Sequence, residues 1–161
     1  MDLKTVRVAI PEGANIILGQ THFIKTAEDL YEILAGSSPH IHFGVAFTEA
    51  SGPCLIRHEG NDPDLTAAAI RTVQEVGAGH IFAVLIRDAF PINVLNSIKM
   101  CPEVCRIYCA TANPLEVVVA ETDQGRGIMG VIDGSSPKGV EQDSDKAARK
   151  ALLRNFGYKV K

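Results

Sequence analysis

The sequence predicts a three-layer α/β sandwich with a mixed β-sheet core and about four helices. Three observations lead there. Strand-length apolar runs alternate along the chain with amphipathic, capped helical segments. Ile81-Phe82-Ala83-Val84-Leu85-Ile86 is apolar without interruption, the mark of a strand covered on both faces. Two strand pairs joined by short turns, 41–48 with 54–58 and 115–121 with 127–132, read as hairpins and make the sheet mixed rather than fully parallel.

Taken in order, residues 3–10 alternate as a strand, Pro11-Glu12-Gly13 turns it, and 15–18 form a second short strand. Thr26 reads as a helix N-cap, with Glu28 and Asp29 in the first turn, where the helix dipole favours acids. Leu30, Ile33 and Leu34 give that helix its apolar stripe, and Gly36 ends it. A strand over 41–48, the turn Ala50-Ser51-Gly52-Pro53 and a strand over 54–58 follow. Asp62-Pro63 starts a second helix with a capping carboxylate and a proline at the first helical position. It runs to Val76, buries Leu65, Ala69, Val73 and Val76, and is closed by Gly77 and Gly79. After the apolar strand 81–86 come a short helix over 92–100, strands over 104–110, 115–121 and 127–132, and a last helix over 144–156 that ends at Gly157. No repeat, linker or low-complexity stretch interrupts the chain, so residues 1–161 are expected to form a single domain.

The composition narrows the classes of function. With 161 residues, 46% hydrophobic and 22% charged, the chain has the makings of a folded core without staples. A net charge of −3 argues against a broad nucleic-acid footprint, although local basic residues can hold one small anion. No apolar run approaches the roughly 18 residues of a membrane span, so no membrane partner is expected. The opening Met1-Asp2-Leu3-Lys4 lacks the apolar stretch of a signal peptide, and the expected location is cytoplasmic. Cys54, Cys101, Cys105 and Cys109 form no C-x-x-C pair, and no histidine lies at zinc-finger spacing. On a strand, Cys105, Ile107 and Cys109 point the same way and read as small packing residues, with no metal site expected.

Gly125-Arg126-Gly127-Ile128-Met129-Gly130 matches G-x-G-x-x-G, but a dinucleotide site needs a helix after that motif. Val131-Ile132-Asp133-Gly134 reads as strand and turn instead. The glycines are therefore expected in a tight turn and in a strand approached closely by another backbone.

Polar residues at strand ends are better site material, since ligands of open α/β sheets bind in crevices there. They include Gly19 to Thr26 with Lys25, the turn from Thr48 to Gly52 with Glu49 and Ser51, His80 after Gly79, Asn93, Asn96 and Lys99 around the short helix, and Asn113 before Pro114. Of the five histidines, His40, His42 and His58 read as surface or edge residues. His22 and His80 lie beside glycine-bearing turns, where an imidazole can act as base, acid or phosphate-accepting nucleophile.

The runs Gly19–Thr26, Phe43–Gly52, Pro91–Asn96 and Cys109–Pro114, with Gly127–Asp133 and Leu153–Tyr158, resemble those of the adenosine-specific kinase family. The resemblance covers nearly the whole chain, in order and without large insertions. It implies an α/β sandwich, a homo-oligomer (trimer or hexamer), binding of adenosine or AMP, and phosphoryl transfer that passes through a phosphohistidine, with ATP and Mg²⁺ as cofactors.

On this reading His80 or His22 takes the phosphoryl group, and Glu49 acts as base or holds Mg²⁺. Lys25 and Lys99 neutralise charge, and the turn amides at Ser51 and Gly52 act as fixed donors. Gln20, Asn93 and Asn113 complete the substrate contacts, the two asparagines at the ribose or purine edge. A sensor that binds AMP without turnover, and an oligomeric scaffold whose turns serve packing alone, are the alternatives.

Overall fold

The computed structural model describes residues 1–160. Along them run β1 (Asp2–Val8), β2 (Asn15–Thr21), α1 (Thr26–Ser37), β3 (His42–Thr48), β4 (Ile56–Gly60), α2 (Pro63–Val76), β5 (Ile81–Arg87), α3 (Pro91–Lys99), β6 (Val104–Thr111), β7 (Leu115–Thr122), β8 (Gly125–Asp133) and α4 (Asp143–Asn155).

The apolar run of β5 is buried from Ile81 to Ile86 because it lies in the middle of a five-stranded sheet of order β4-β3-β5-β2-β6. Its side chains alternate between two cores. Phe82, Val84 and Ile86 meet Leu30 and Leu34 of α1 and Val94 and Ile98 of α3 on one face. Ile81, Ala83 and Leu85 face the opposite way, toward Leu65, Ala69 and Val73 of α2 and toward the smaller sheet β1-β7-β8. The layers are thus two helices, the large sheet, and a third layer shared by α2 and the small sheet.

The α/β sandwich stands, but the single mixed sheet is corrected to two antiparallel ones. Each of α1, α2 and α3 joins strands that run the same way yet are not neighbours. α1 leads from β2 to β3 with β5 between them, α2 from β4 to β5 with β3 between, and α3 from β5 to β6 with β2 between. The strand filling each gap is antiparallel to both flanks, so a βαβ crossover pattern ends in antiparallel pairing. Both expected hairpins are present, β3 with β4 and β7 with β8.

Asp62 caps α2 as expected: its Oδ1 accepts from the N–H groups of Asp64 (2.9 Å) and Leu65 (3.0 Å). Gly77 ends the helix in the left-handed region at φ 68°. Close approach fixes Gly44, where a Cβ would stand 2.2 Å from the Thr66 backbone nitrogen as α2 crosses β3.

Four local expectations are corrected. Thr26 is the first residue of α1, not its cap. Its hydroxyl donates to Phe23 O (2.6 Å) and meets the Thr21 hydroxyl at 2.5 Å. Gly36 lies within α1, which runs one residue further to Ser37. Cys105 is exposed while Cys109 is buried. A bulge in the β2–β6 pairing, where Leu18 faces Cys109 but Gly19 faces Ile107, breaks the alternation expected of that strand. Gly127 and Gly130 have open space where a Cβ would stand, so no backbone crowds them.

The C-terminal helix α4 has no buried residue. Leu152, Phe156 and Tyr158 are each about half exposed or more, at 50%, 64% and 45%. No helix among the described residues is long and apolar enough to cross a membrane.

Candidate functional site

Antiparallel register delivers three separate segments to one end of the large sheet. Gln20 pairs with Ile81 and Phe47 with Phe82, so the ends of β2 and β3 meet the start of β5. His22, Glu49 and His80 follow or precede those strands by one residue. Backbone bonds lock them together: the N–H of Thr21 donates to His80 O and that of His80 to Thr48 O, each at 2.9 Å. The His22 N–H reaches Glu103 O at 3.2 Å. Beneath them the Thr48 hydroxyl donates to Ala78 O (2.8 Å) and accepts from the Ile81 N–H (3.0 Å).

These segments border a cleft of about 350 Å³ lined by His22, Phe23, Phe47, Glu49, the turn 50–53 and His80. Its size falls at the small end of the range for small-molecule sites. The His80 ring stacks on buried Phe47 with centroids 6.0 Å apart and planes 22° from parallel. His80 itself has φ 56°, and Cys54, closing the turn on the other side, has φ 51°. Non-glycine residues held in the left-handed region are uncommon, and such strain concentrates where a side chain must be aimed. Gly79 gives His80 this position, since a Cβ there would stand 2.9 Å from that of Ala50.

Glu49 is fully engaged. Its Oε2 accepts from the Leu55 N–H at 2.8 Å, and its Oε1 accepts from Arg57 Nε and Nη2 at 3.0 and 2.8 Å. The Leu55 amide first, then the Arg57 guanidinium, hold its carboxyl below the ordinary range. The N-terminus of α1 has no side-chain cap, but its first two amides are engaged by the preceding turn: the Thr26 N–H donates to Phe23 O (3.1 Å) and the Ala27 N–H to Ile24 O (3.3 Å).

Lys25 stands on the far side of that helix start. It pairs with Asp29, which holds its ammonium above the ordinary value, and its Nζ lies 4.0 Å from Glu103 Oε1. It lines a second cavity with Asn96, Met100 and Cys101 rather than the histidine cleft. Ser51 and Gly52 lie in the cleft. Gln20 sits on β2, one residue inside its end, and accepts from the Tyr108 hydroxyl at 3.4 Å. Lys99 is exposed in the last turn of α3.

Asn93 and Asn113 are not brought into the cleft. Asn93 Oδ1 accepts from the Phe90 N–H (2.8 Å) at the start of α3, beyond the opposite end of β5. Asn113 Nδ2 donates to Asp133 Oδ1 (3.1 Å) in the β6–β7 turn, also at that far end, where Ile16 faces Thr111. The G-x-G-x-x-G stretch lies in β8, with no helix after it.

Sequence reasoning missed Arg57 and Glu103. Arg57 was findable from the hairpin: once Thr48 is set opposite Ile56, Glu49 and Arg57 come within reach across the two strands. Glu103, 3% exposed, gave no such signal, because an acidic residue after Pro102 reads as a solvated loop.

A resident Mg²⁺ does not fit at Glu49. Both oxygens are taken, and a hard cation there would have to displace a guanidinium.

Comparison with known proteins supplies the family. The profile described as adenosine specific kinase matches residues 6–159. The crystal structure of PH1918 protein from Pyrococcus horikoshii OT3 is 43% identical, covers 99% of each chain and superposes with a TM-score of 0.95. No curated protein matches at a significant level.

Proposed function

The chain belongs to the adenosine specific kinase family, and from that premise we propose that it transfers a phosphoryl group to adenosine at the cleft between His22 and His80. One observation carries the reading: two imidazoles and the Ser51–Gly52 turn border one small cavity at a sheet end. Phosphoryl transfer asks chiefly for positioning and for donors aimed at developing negative charge. The turn amides at Ser51 and Gly52 are such donors. The phosphohistidine route gives the imidazoles their role. One ring nitrogen bonds to phosphorus as the bond to the leaving diphosphate breaks. The 5′-hydroxyl of adenosine then takes the phosphoryl group, and its proton passes to the released imidazole.

ATP is the expected donor, with Mg²⁺ entering on its phosphates. Glu49 acts through Arg57, which it holds in the neighbouring cavity lined by Ile24 and Ala27, and Lys25 adds positive charge from behind the helix start. The reading does not use Asn93 or Asn113, and Gln20 and Lys99 stand at its margin. A homo-oligomer fits the bare apolar residues Leu152 of α4 and Phe156 and Tyr158 just after it, which a second copy would cover. Four free thiols suit a reducing compartment, and a role fed by ATP is consistent with a cytoplasmic location.

Incubating the protein with ATP, Mg²⁺ and adenosine tests the proposal: AMP must form beyond a boiled control. The engaged state of Glu49 favours a second reading, an AMP-binding sensor, since no free carboxylate base remains in the cleft. Tight AMP binding by calorimetry without any turnover would select it.

A further inference from the structure

We propose that Asp29, Cys101 and Glu103 form a binding site for one divalent cation of the zinc class, behind the turn that carries His22. Asp29 lies in the first turn of α1, Cys101 just past the end of α3 and Glu103 just before β6. One ligand atom of each lies within 4.8 Å of the other two. Cys101 Sγ already stands 3.1 Å from Glu103 Oε2.

The second observation is the state of Glu103. The residue is 3% exposed, yet its Oε1 is buried with no hydrogen-bond partner. The nearest cation is Lys25 Nζ at 4.0 Å, beyond hydrogen-bond range, on a side chain 58% exposed and paired with Asp29. A buried carboxylate oxygen without a partner is costly and rare in native proteins, and an absent ion is a standard cause. A divalent cation would satisfy that oxygen directly.

The donor set chooses the metal. Mg²⁺ and Ca²⁺ take oxygen ligands, whereas one thiolate with two carboxylates suits a borderline ion such as Zn²⁺ or Co²⁺. Bonds of roughly 2.0–2.3 Å to a tetrahedral ion place ligand atoms about 3.3–3.8 Å apart, so closure by about 1 Å completes the site. Three protein ligands leave the fourth position toward the cavity of about 580 Å³ lined by Lys25, Asn96 and Met100. Burial pushes the Cys101 thiol up to about 11, so binding releases its proton as the sulfur–metal bond forms. The backbone carbonyl of Glu103 accepts from the His22 N–H and, at 3.0 Å, from the Thr21 hydroxyl. A metal there pins the His22 turn from behind.

The test uses Co²⁺ added to the metal-free full chain carrying Cys54→Ser and Cys105→Ser, which removes both exposed thiols. The expected result is a thiolate-to-cobalt charge-transfer band that saturates at one ion per chain, is displaced by Zn²⁺ and is accompanied by a rise in Tm. Cys101→Ser abolishes the band, and Glu103→Gln, which keeps the side chain's shape, weakens binding at least about tenfold. Circular dichroism confirms that each variant is folded; should Cys101→Ser not fold, Glu103→Gln carries the same test. No band in the parent overturns the proposal. So does a band that survives Cys101→Ser or is unaffected by Glu103→Gln, and so does a Tm rise given equally by Mg²⁺. None of these readouts depends on kinase activity.

Discussion

Arg57 holds Glu49 through two nitrogens, Nε at 3.0 Å and Nη2 at 2.8 Å from the same carboxylate oxygen. The pair ties the end of β3 to β4, and Leu55 N–H closes the other carboxylate oxygen. This arrangement turns the one carboxylate of the histidine cleft into a positioning group for a cation.

The titration of Glu49 follows from it. Its folded pKa is depressed, so the stabilisation is present above the ordinary carboxylate pKa and is lost as pH falls through the folded value. Carbon-detected NMR is expected to give a midpoint below that of a free glutamate. Arg57→Met moves the midpoint upward but leaves it below the free value, because the Leu55 amide remains. A midpoint unmoved by Arg57→Met contradicts the pairing.

The proposed function separates His22 and His80, which line the cleft, from His40, His42 and His58, which do not. Replacing the phosphate-accepting one by asparagine is expected to cut AMP formation by about 100-fold or more. It also removes acid-labile ³²P from the protein. His40→Asn, His42→Asn and His58→Asn leave both signals near the parent level. Loss of labelling in one of those three instead would misplace the site.

Two glycines in different surroundings test the packing. Gly44→Ala drives a methyl into the α2 backbone and is expected to lower stability by about 1–3 kcal/mol. Gly36→Ala, within α1 and facing open space, is expected to raise it by about 0.4–1 kcal/mol. Urea midpoints at constant m-value check both signs.

Asp62→Ala removes the acceptor of two amide bonds at the start of α2. The expected cost is about 0.5–2 kcal/mol, and Asp62→Ser restores most of it. Equal losses for alanine and serine would show that the cap contributes little.

Thiol accessibility separates the cysteines. At pH 8 an aromatic disulfide reagent is expected to label Cys54 and Cys105 quickly in the native chain, and Cys101 and Cys109 only after denaturation. Burial pushes both inner thiols up to about 11. Their neutral forms favour the folded chain, so stability falls as pH rises from the ordinary thiol value toward 11.

Much of this architecture was legible before any coordinates. Asp62-Pro63 and Gly77 mark α2 because caps are local chemistry, and the unbroken run 81–86 announces a strand buried on both faces. The partition into two antiparallel sheets was not legible, because which strand fills the gap beneath a crossover helix is decided by tertiary packing. Cys105 went astray for a similar reason: the β2–β6 pairing is irregular twice, and Cys105 falls in the second irregularity, between Arg106 opposite Gln20 and Val104 opposite Thr21. Within the candidate site, His22, Glu49, Ser51, Gly52 and His80 were picked out as strand-end residues and share a cleft. Asn93 and Asn113 were picked by the same rule but sit at the other end of the sheet, since the rule does not say which end. Glu103 escaped because burial of a charge leaves no trace in local sequence.

The central claim is that adenine nucleotide sits between His22 and His80, and the imidazole resonances read it directly. During an AMP titration, the signals of His22 and His80 are expected to shift together and saturate at one AMP per chain, while those of His40, His42 and His58 stay in place. AMP that binds yet moves neither His22 nor His80, or that moves only the outer three, contradicts the account.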